Sequence, residues 1–234
     1  MKPYHQVPII ECGEPLVPIP RNLFAIEQPH PYEKLAAPYG CKSPYYLRQG
    51  VLEHLLAAQN LLRQQHPGWQ IQIFDAYRPI AVQQFMVDYT LRATAQAAGQ
   101  KLESLTTTQQ QAILEKVYQF WAAPSPDPLT PPPHSTGAAI DITLIDAEGQ
   151  VVDMGSPIDE ISPRSHPDYF AHCGDRHSAT YHQHRQLLRQ VMVSAGFCQH
   201  PHEWWHFSWG DQMWAWFENC NQMDTLLVAR YGAI

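Results

Sequence analysis

The segment Pro201-His202-Glu203-Trp204-Trp205-His206-Phe207 admits two incompatible local structures, and each would build a different site. Read as H-E-x-x-H it is a helix, with two histidines one turn apart on a metal and a glutamate that activates water. Its neighbours oppose a helix. Pro201 precedes it, Gly210 closes it, and Trp204, Trp205, Phe207 and Trp209 are types that suit a pleated, half-buried surface. The segment is therefore expected to be a strand, Trp204 to Trp209. On a strand, His202 and His206 would lie roughly 13 Å apart at about 3.3 Å per residue. Metal–nitrogen bonds are about 2 Å long, so one of the two histidines is expected not to be a ligand.

The remaining ligands must then come from elsewhere. The densest other run is Pro131-Pro132-Pro133-His134-Ser135-Thr136-Gly137-Ala138-Ala139-Ile140-Asp141-Ile142. The small residues Gly137, Ala138 and Ala139 can turn the chain so that His134 and Asp141 meet. His134, Asp141 and His206 would form a two-imidazole, one-carboxylate set that leaves zinc an open position for water, as catalytic sites require. A third run, Trp69 to Pro79, alternates apolar and polar residues and then presents Arg78 at a strand end. A guanidinium there suits a carboxylate or a developing oxyanion, although an isolated arginine is more often an ion-paired surface residue.

Five motifs in this order resemble the zinc D-alanyl-D-alanine dipeptidases of the vancomycin-resistance type, in a peptidase group that also holds zinc D,D-carboxypeptidases and the hedgehog signalling domain. They are Phe74-Asp75-Ala76-Tyr77-Arg78-Pro79, His134-Ser135-Thr136-Gly137-Ala138-Ala139-Ile140-Asp141, Met154-Gly155-Ser156-Pro157-Ile158-Asp159, Ser165-His166 and Glu203-Trp204-Trp205-His206. The resemblance implies one zinc ion per chain on His134, Asp141 and His206. It implies Glu203 as general base and acid, Arg78 as transition-state stabiliser, and Asp159 as the partner of the substrate's free amino group. The implied substrate is a short D-amino-acid dipeptide, D-Ala-D-Ala foremost. Two departures touch the substrate pocket: Pro132 stands where the family has a serine, and the family's amino-terminal substrate tyrosine aligns near Phe24. A D,D-carboxypeptidase acting on longer wall peptides, a helical zincin using His202, and a non-catalytic zinc-stabilised binding module are the alternatives.

The net charge of −7 and the lack of a basic stripe argue against a nucleic-acid partner. No apolar run is long enough for a membrane span, and Met1 to Pro20 does not read as a signal peptide. A cytoplasmic location is expected, or a periplasmic one after signal removal. The 5 cysteines include no C-x-x-C pair and read as scattered thiols; Cys173, beside His172, lacks a third group that would make it a nucleophile.

Helical spacing over Gln49–His66, Ile80–Ala98, Gln109–Trp121 and residues 176 to 195, with strands at Trp69–Asp75, Gly137–Ile145 and Val151–Met154, shows no βαβ alternation. The fold class expected is α+β: one domain spanning 1–234, with a central, mainly antiparallel sheet, helices packed on it and the zinc site on one sheet face. Residues 1–46, rich in proline and tyrosine, are expected to form an irregular wrap.

Overall fold

The computed structural model describes residues 2–221 and 226–234. The irregular opening segment carries strands β1 (Leu16–Pro18) and β2 (Ala25–Ile26) and the single-turn helix α1 (Pro31–Lys34), and ends in β3 (Tyr46–Arg48). Helix α2 (Gln49–Gln65) follows, then β4 (Gln70–Asp75), α3 (Ile80–Ala97), α4 (Thr107–Val117), β5 (Ala139–Ile145), α5 (Arg176–Ser194), β6 (Cys198–Gln199), β7 (His206–Ser208) and α6 (Gln212–Asn221).

A five-stranded sheet in the order β2-β4-β5-β7-β6 organises the molecule, antiparallel except for the β2–β4 pair. Alternation along the strands sends Ile71, Ile73, Ile140, Ile142 and Leu144 into one core, where they meet Val51, Leu55, Ala58 and Leu62 of α2 and Leu188, Val191 and Met192 of α5. The α2 residues recur every three or four positions, so helix formation and burial reinforce each other. Pro67-Gly68 then stops the helix, and Gln59 ties it to the sheet by accepting from the Ile71 N–H at 2.7 Å. A second apolar cluster joins Val82, Met86 and Val87 of α3 to Val117, Trp121, Tyr32 and Tyr39.

Three expected elements are shorter than the sequence suggested. Val151–Met154 is not a strand: only Val151 bridges, to Ile145. Two backbone bonds flank that bridge, from Val152 N–H to the Leu144 carbonyl and from Asp146 N–H to the Gln150 carbonyl; beyond them the pairing stops, and the Asp153 carboxylate takes the Gly155 N–H. Helix α4 ends at Val117, because Trp121 turns inward to the second cluster. The last strand covers only His206–Ser208. Upstream, His200 N–H bonds the His206 carbonyl and Trp204 N–H bonds that of Ser165, which folds residues 201–205 into turns.

Candidate metal centre

Sheet register builds the site. Asp141 on β5 pairs with His206 at the start of β7, and a register shift after Ile73 places Asp75, the last residue of β4, opposite Asp141 as well. His134 arrives from a tight turn, Pro133–Thr136, closed by Gly137 in a left-handed conformation (φ 71°). A Cβ at Gly137 would lie 2.5 Å from Leu16, so the turn between two of the candidate ligands needs glycine for both backbone and space.

The three residues converge. His134 Nε2 lies 3.2 Å from His206 Nδ1 and 3.2 Å from an Asp141 carboxylate oxygen, while His206 Nδ1 lies 3.0 Å from the other oxygen. Nearly tetrahedral ligands on zinc, at about 2.0–2.1 Å each, sit about 3.3 Å from one another, so these separations match that geometry. The proton inventory agrees. His134 Nδ1 is 2.7 Å from the Ala76 carbonyl, which can only accept, so Nδ1 carries the proton and Nε2 turns a lone pair inward. A buried lone pair facing a carboxylate at this distance calls for a cation, and the donor set fits zinc. Burial alone would raise the Asp141 pKa, but His134 and His206 hold it well below the ordinary carboxylate range, so it offers full charge. His202 is not in this group; it lies against His166, Nδ1 to Nε2 at 3.3 Å.

Glu203 stands beside the cluster, its oxygens 3.8 Å from His206 Nδ1 and 3.7 Å from His200 Nδ1. Burial, with Asp141 and Asp159 nearby, pushes its pKa well above the usual value, giving a carboxyl with strong proton affinity.

Arg78 is locked in place. Its Nε donates to Asp75 at 2.8 Å, Nη1 to Gln83 at 2.9 Å, and Nη2 to the Tyr32 hydroxyl and Asp141 at 3.2 Å each. The rings of Tyr32 and Trp121 each lie 5.0 Å from its guanidinium carbon. Although burial disfavours its charge, Tyr32, Asp75 and Asp141 hold its pKa well above the ordinary value. Asp75 is itself fixed by His30 Nε2 at 3.0 Å and Tyr39 at 3.2 Å. Asp159, in a left-handed conformation (φ 65°), accepts from the Tyr32 hydroxyl at 2.9 Å. Burial, then the charge of Asp141, raise its pKa to about 7.

All six residues singled out in the sequence, His134, Asp141, His206, Glu203, Arg78 and Asp159, line one small cavity. It leaves about 50 Å³ for the centres of water-sized molecules. Phe24 is elsewhere, in the main core; the tyrosine beside Asp159 is Tyr32, from Pro29-His30-Pro31-Tyr32. Sequence reasoning passed over it and His30, because the side-chain contacts that give them a role cross 45 or more residues. Trp121 and the Lys2–Tyr4 stretch were also missed.

A family model described as D-ala-D-ala dipeptidase matches residues 26–224. The chain is 50% identical, over all of its length and 97% of the relative's, to a D-alanyl-D-alanine dipeptidase of a Synechocystis strain. It is 32% identical, over 68% of this chain and 71% of the relative's, to one of Enterococcus faecium. A solved vancomycin-resistance D,D-pentapeptidase in complex with Zn(II) shares 18% identity and a TM-score of 0.44, over 76% of this chain and 79% of that one.

Proposed function

The chain belongs to the D-ala-D-ala dipeptidase family of peptidases, and from that premise we propose that it is a zinc metallopeptidase that hydrolyses D-Ala-D-Ala. One observation carries the mechanism: the buried His134–Asp141–His206 cluster with a high-affinity proton acceptor, Glu203, at its edge. His134, Asp141 and His206 would hold the zinc. When bound, zinc supplies Lewis acidity that acidifies water and polarises a carbonyl. Glu203 takes the proton of the attacking water and delivers it to the leaving amine. Arg78, fixed on every side, meets negative charge developing on the scissile carbonyl oxygen without having to reorganise. Asp159 pairs with the substrate ammonium. Free amino termini are thereby favoured, which supports a dipeptidase over a carboxypeptidase acting on longer peptides.

Residues 1–234 are read as one such domain, a reading supported by a core that runs from Ile19 to Tyr231. Among the described residues no helix is long and apolar enough to cross a membrane. A cytoplasmic location remains part of the proposal.

The test is a dipeptide panel, D-Ala-D-Ala against L-Ala-L-Ala and N-acetyl-D-Ala-D-Ala, with and without zinc. Hydrolysis confined to the free D,D-dipeptide and lost with the metal is the expected result. Equal cleavage of the N-acetylated form would favour the carboxypeptidase reading.

A further inference from the structure

The motifs leave part of the cavity wall unexplained. Residues 2–7 form a turn, Pro3–Gln6, seated on α6: Gln212 Nε2 donates to the Val7 carbonyl at 2.8 Å, and Val7 packs with Ala215 and Ala229. The same nitrogen lies 3.0 Å from the Leu129 carbonyl, which ties the turn to the proline-rich segment leading to His134. This anchored turn sends Lys2 and Tyr4 into the lining of the cavity that holds Glu203 and the three metal-ligating candidates.

Lys2, an exposed residue, lines this cavity together with Glu203 and with Asp159, which Tyr32 joins to Arg78. The cavity wall thus carries a cation and a carboxyl group contributed by distant parts of the chain. Tyr4 is half-buried, and burial beside Asp211 and Glu203 keeps its phenol protonated, hence a donor. Among the described residues, neither the Lys2 ammonium nor the Tyr4 hydroxyl has a hydrogen-bond partner within the protein. Pro132 lines the same cavity and brings no donor.

We propose that Lys2, assisted by the Tyr4 hydroxyl, receives the free carboxylate of the substrate, so that the cavity grips a zwitterion by both ends. The assignment rests on the dipeptidase reading above and extends it to the carboxyl end. It gives the amino-terminal turn a function as the specificity wall: a substrate whose carboxyl is amidated or extended loses its charge partner and meets the turn.

The test measures binding, in zinc-loaded Glu203→Ala protein so that the ligand is not consumed. Calorimetry compares D-Ala-D-Ala with its carboxy-terminal amide, in that background and with Lys2→Met, Lys2→Arg or Tyr4→Phe added. The dipeptide is expected to outbind its amide by roughly tenfold or more, the worth of one charge-assisted hydrogen bond. Lys2→Met should collapse that ratio to within about threefold, Lys2→Arg should restore most of it, and Tyr4→Phe should reduce it in part. A ratio unmoved by Lys2→Met, or both ligands weakened equally, would overturn the carboxylate role while dipeptide cleavage by the unaltered protein still stood. No binding of either ligand, with no cleavage by the unaltered protein, would instead overturn the dipeptidase reading and this assignment with it.

Discussion

Glu203 and His202 are neighbours in sequence with opposite fates, and the difference is local geometry. The turn over residues 201–205 brings Glu203 to within 3.8 Å of His206 and sends His202 out to His166. If Glu203 only moves protons, Glu203→Ala should keep the zinc stoichiometry while lowering turnover by about 10²- to 10⁴-fold, the range of a positioned general base. Metal analysis alongside steady-state kinetics checks this, and a variant with unimpaired turnover would remove Glu203 from the mechanism. The same analysis separates the two readings of the H-E-x-x-H segment. His206→Ala should abolish tight zinc binding, whereas His202→Ala should leave close to one ion per chain. Zinc lost in His202→Ala but kept in His134→Ala and Asp141→Ala would restore the helical zincin.

At the scale of elements, the sheet does the positioning. Asp75, Asp141 and His206 come level across three adjacent strands only because β4 shifts register after Ile73. The strand itself is legible in Trp69-Gln70-Ile71-Gln72-Ile73, since alternation marks a half-buried strand; the shift is not, since no residue type announces it. The candidate metal cluster could be read from His134, Asp141 and His206 because few residue types bind zinc. The layer behind Arg78 could not, because His30, Tyr32 and Tyr39 acquire their meaning only when the amino-terminal segment packs against β4 and α3. The strand expected at Val151–Met154 shrank to a single bridge for a related reason: after Val152 the backbone turns away from β5, and Asp153 takes the Gly155 N–H. Asp75 is the test of that layer. It is fully buried, with Arg78, His30 and Tyr39 all directed at it, and burial is outweighed by Arg78 and then His30 in lowering its pKa. Asp75→Asn removes one side of a buried ion pair, a loss of about 3–5 kcal/mol. For a chain of this size the melting temperature should fall by roughly 6–20 °C. Turnover should fall with it, as Arg78 loses its Nε anchor. Calorimetry showing an unchanged melting temperature would mean that the guanidinium is held by Gln83, Tyr32 and Asp141 alone.

For the whole molecule, the recognition proposed for this cavity comes at a cost in stability, and Asp159 shows the exchange most directly. Its pKa rises from an ordinary 3.8 to about 7, first because burial disfavours the charge and second because Asp141 repels it. A carboxyl whose folded value is raised prefers to be protonated in the native state. Its contribution to stability is therefore fully present below about pH 4 and is lost as pH rises to about 7. A rise from 3.8 to about 7 corresponds to about 4 kcal/mol at most. Asp159→Asn keeps an acceptor for the Tyr32 hydroxyl but never ionises. In metal-free protein its melting temperature should match the unaltered chain near pH 4 and exceed it progressively up to about pH 7, by as much as roughly 8–16 °C. The same variant should bind D-Ala-D-Ala poorly, raising KM, and should lose its preference for the free amine over the N-acetylated form, since the carboxylate proposed to pair with the ammonium is gone. A thermal advantage that does not change between pH 4 and 8 would show that Asp159 is not the titrating group. A stabilised variant that still rejects the N-acetylated dipeptide would place recognition of the amino terminus on other residues of the wall.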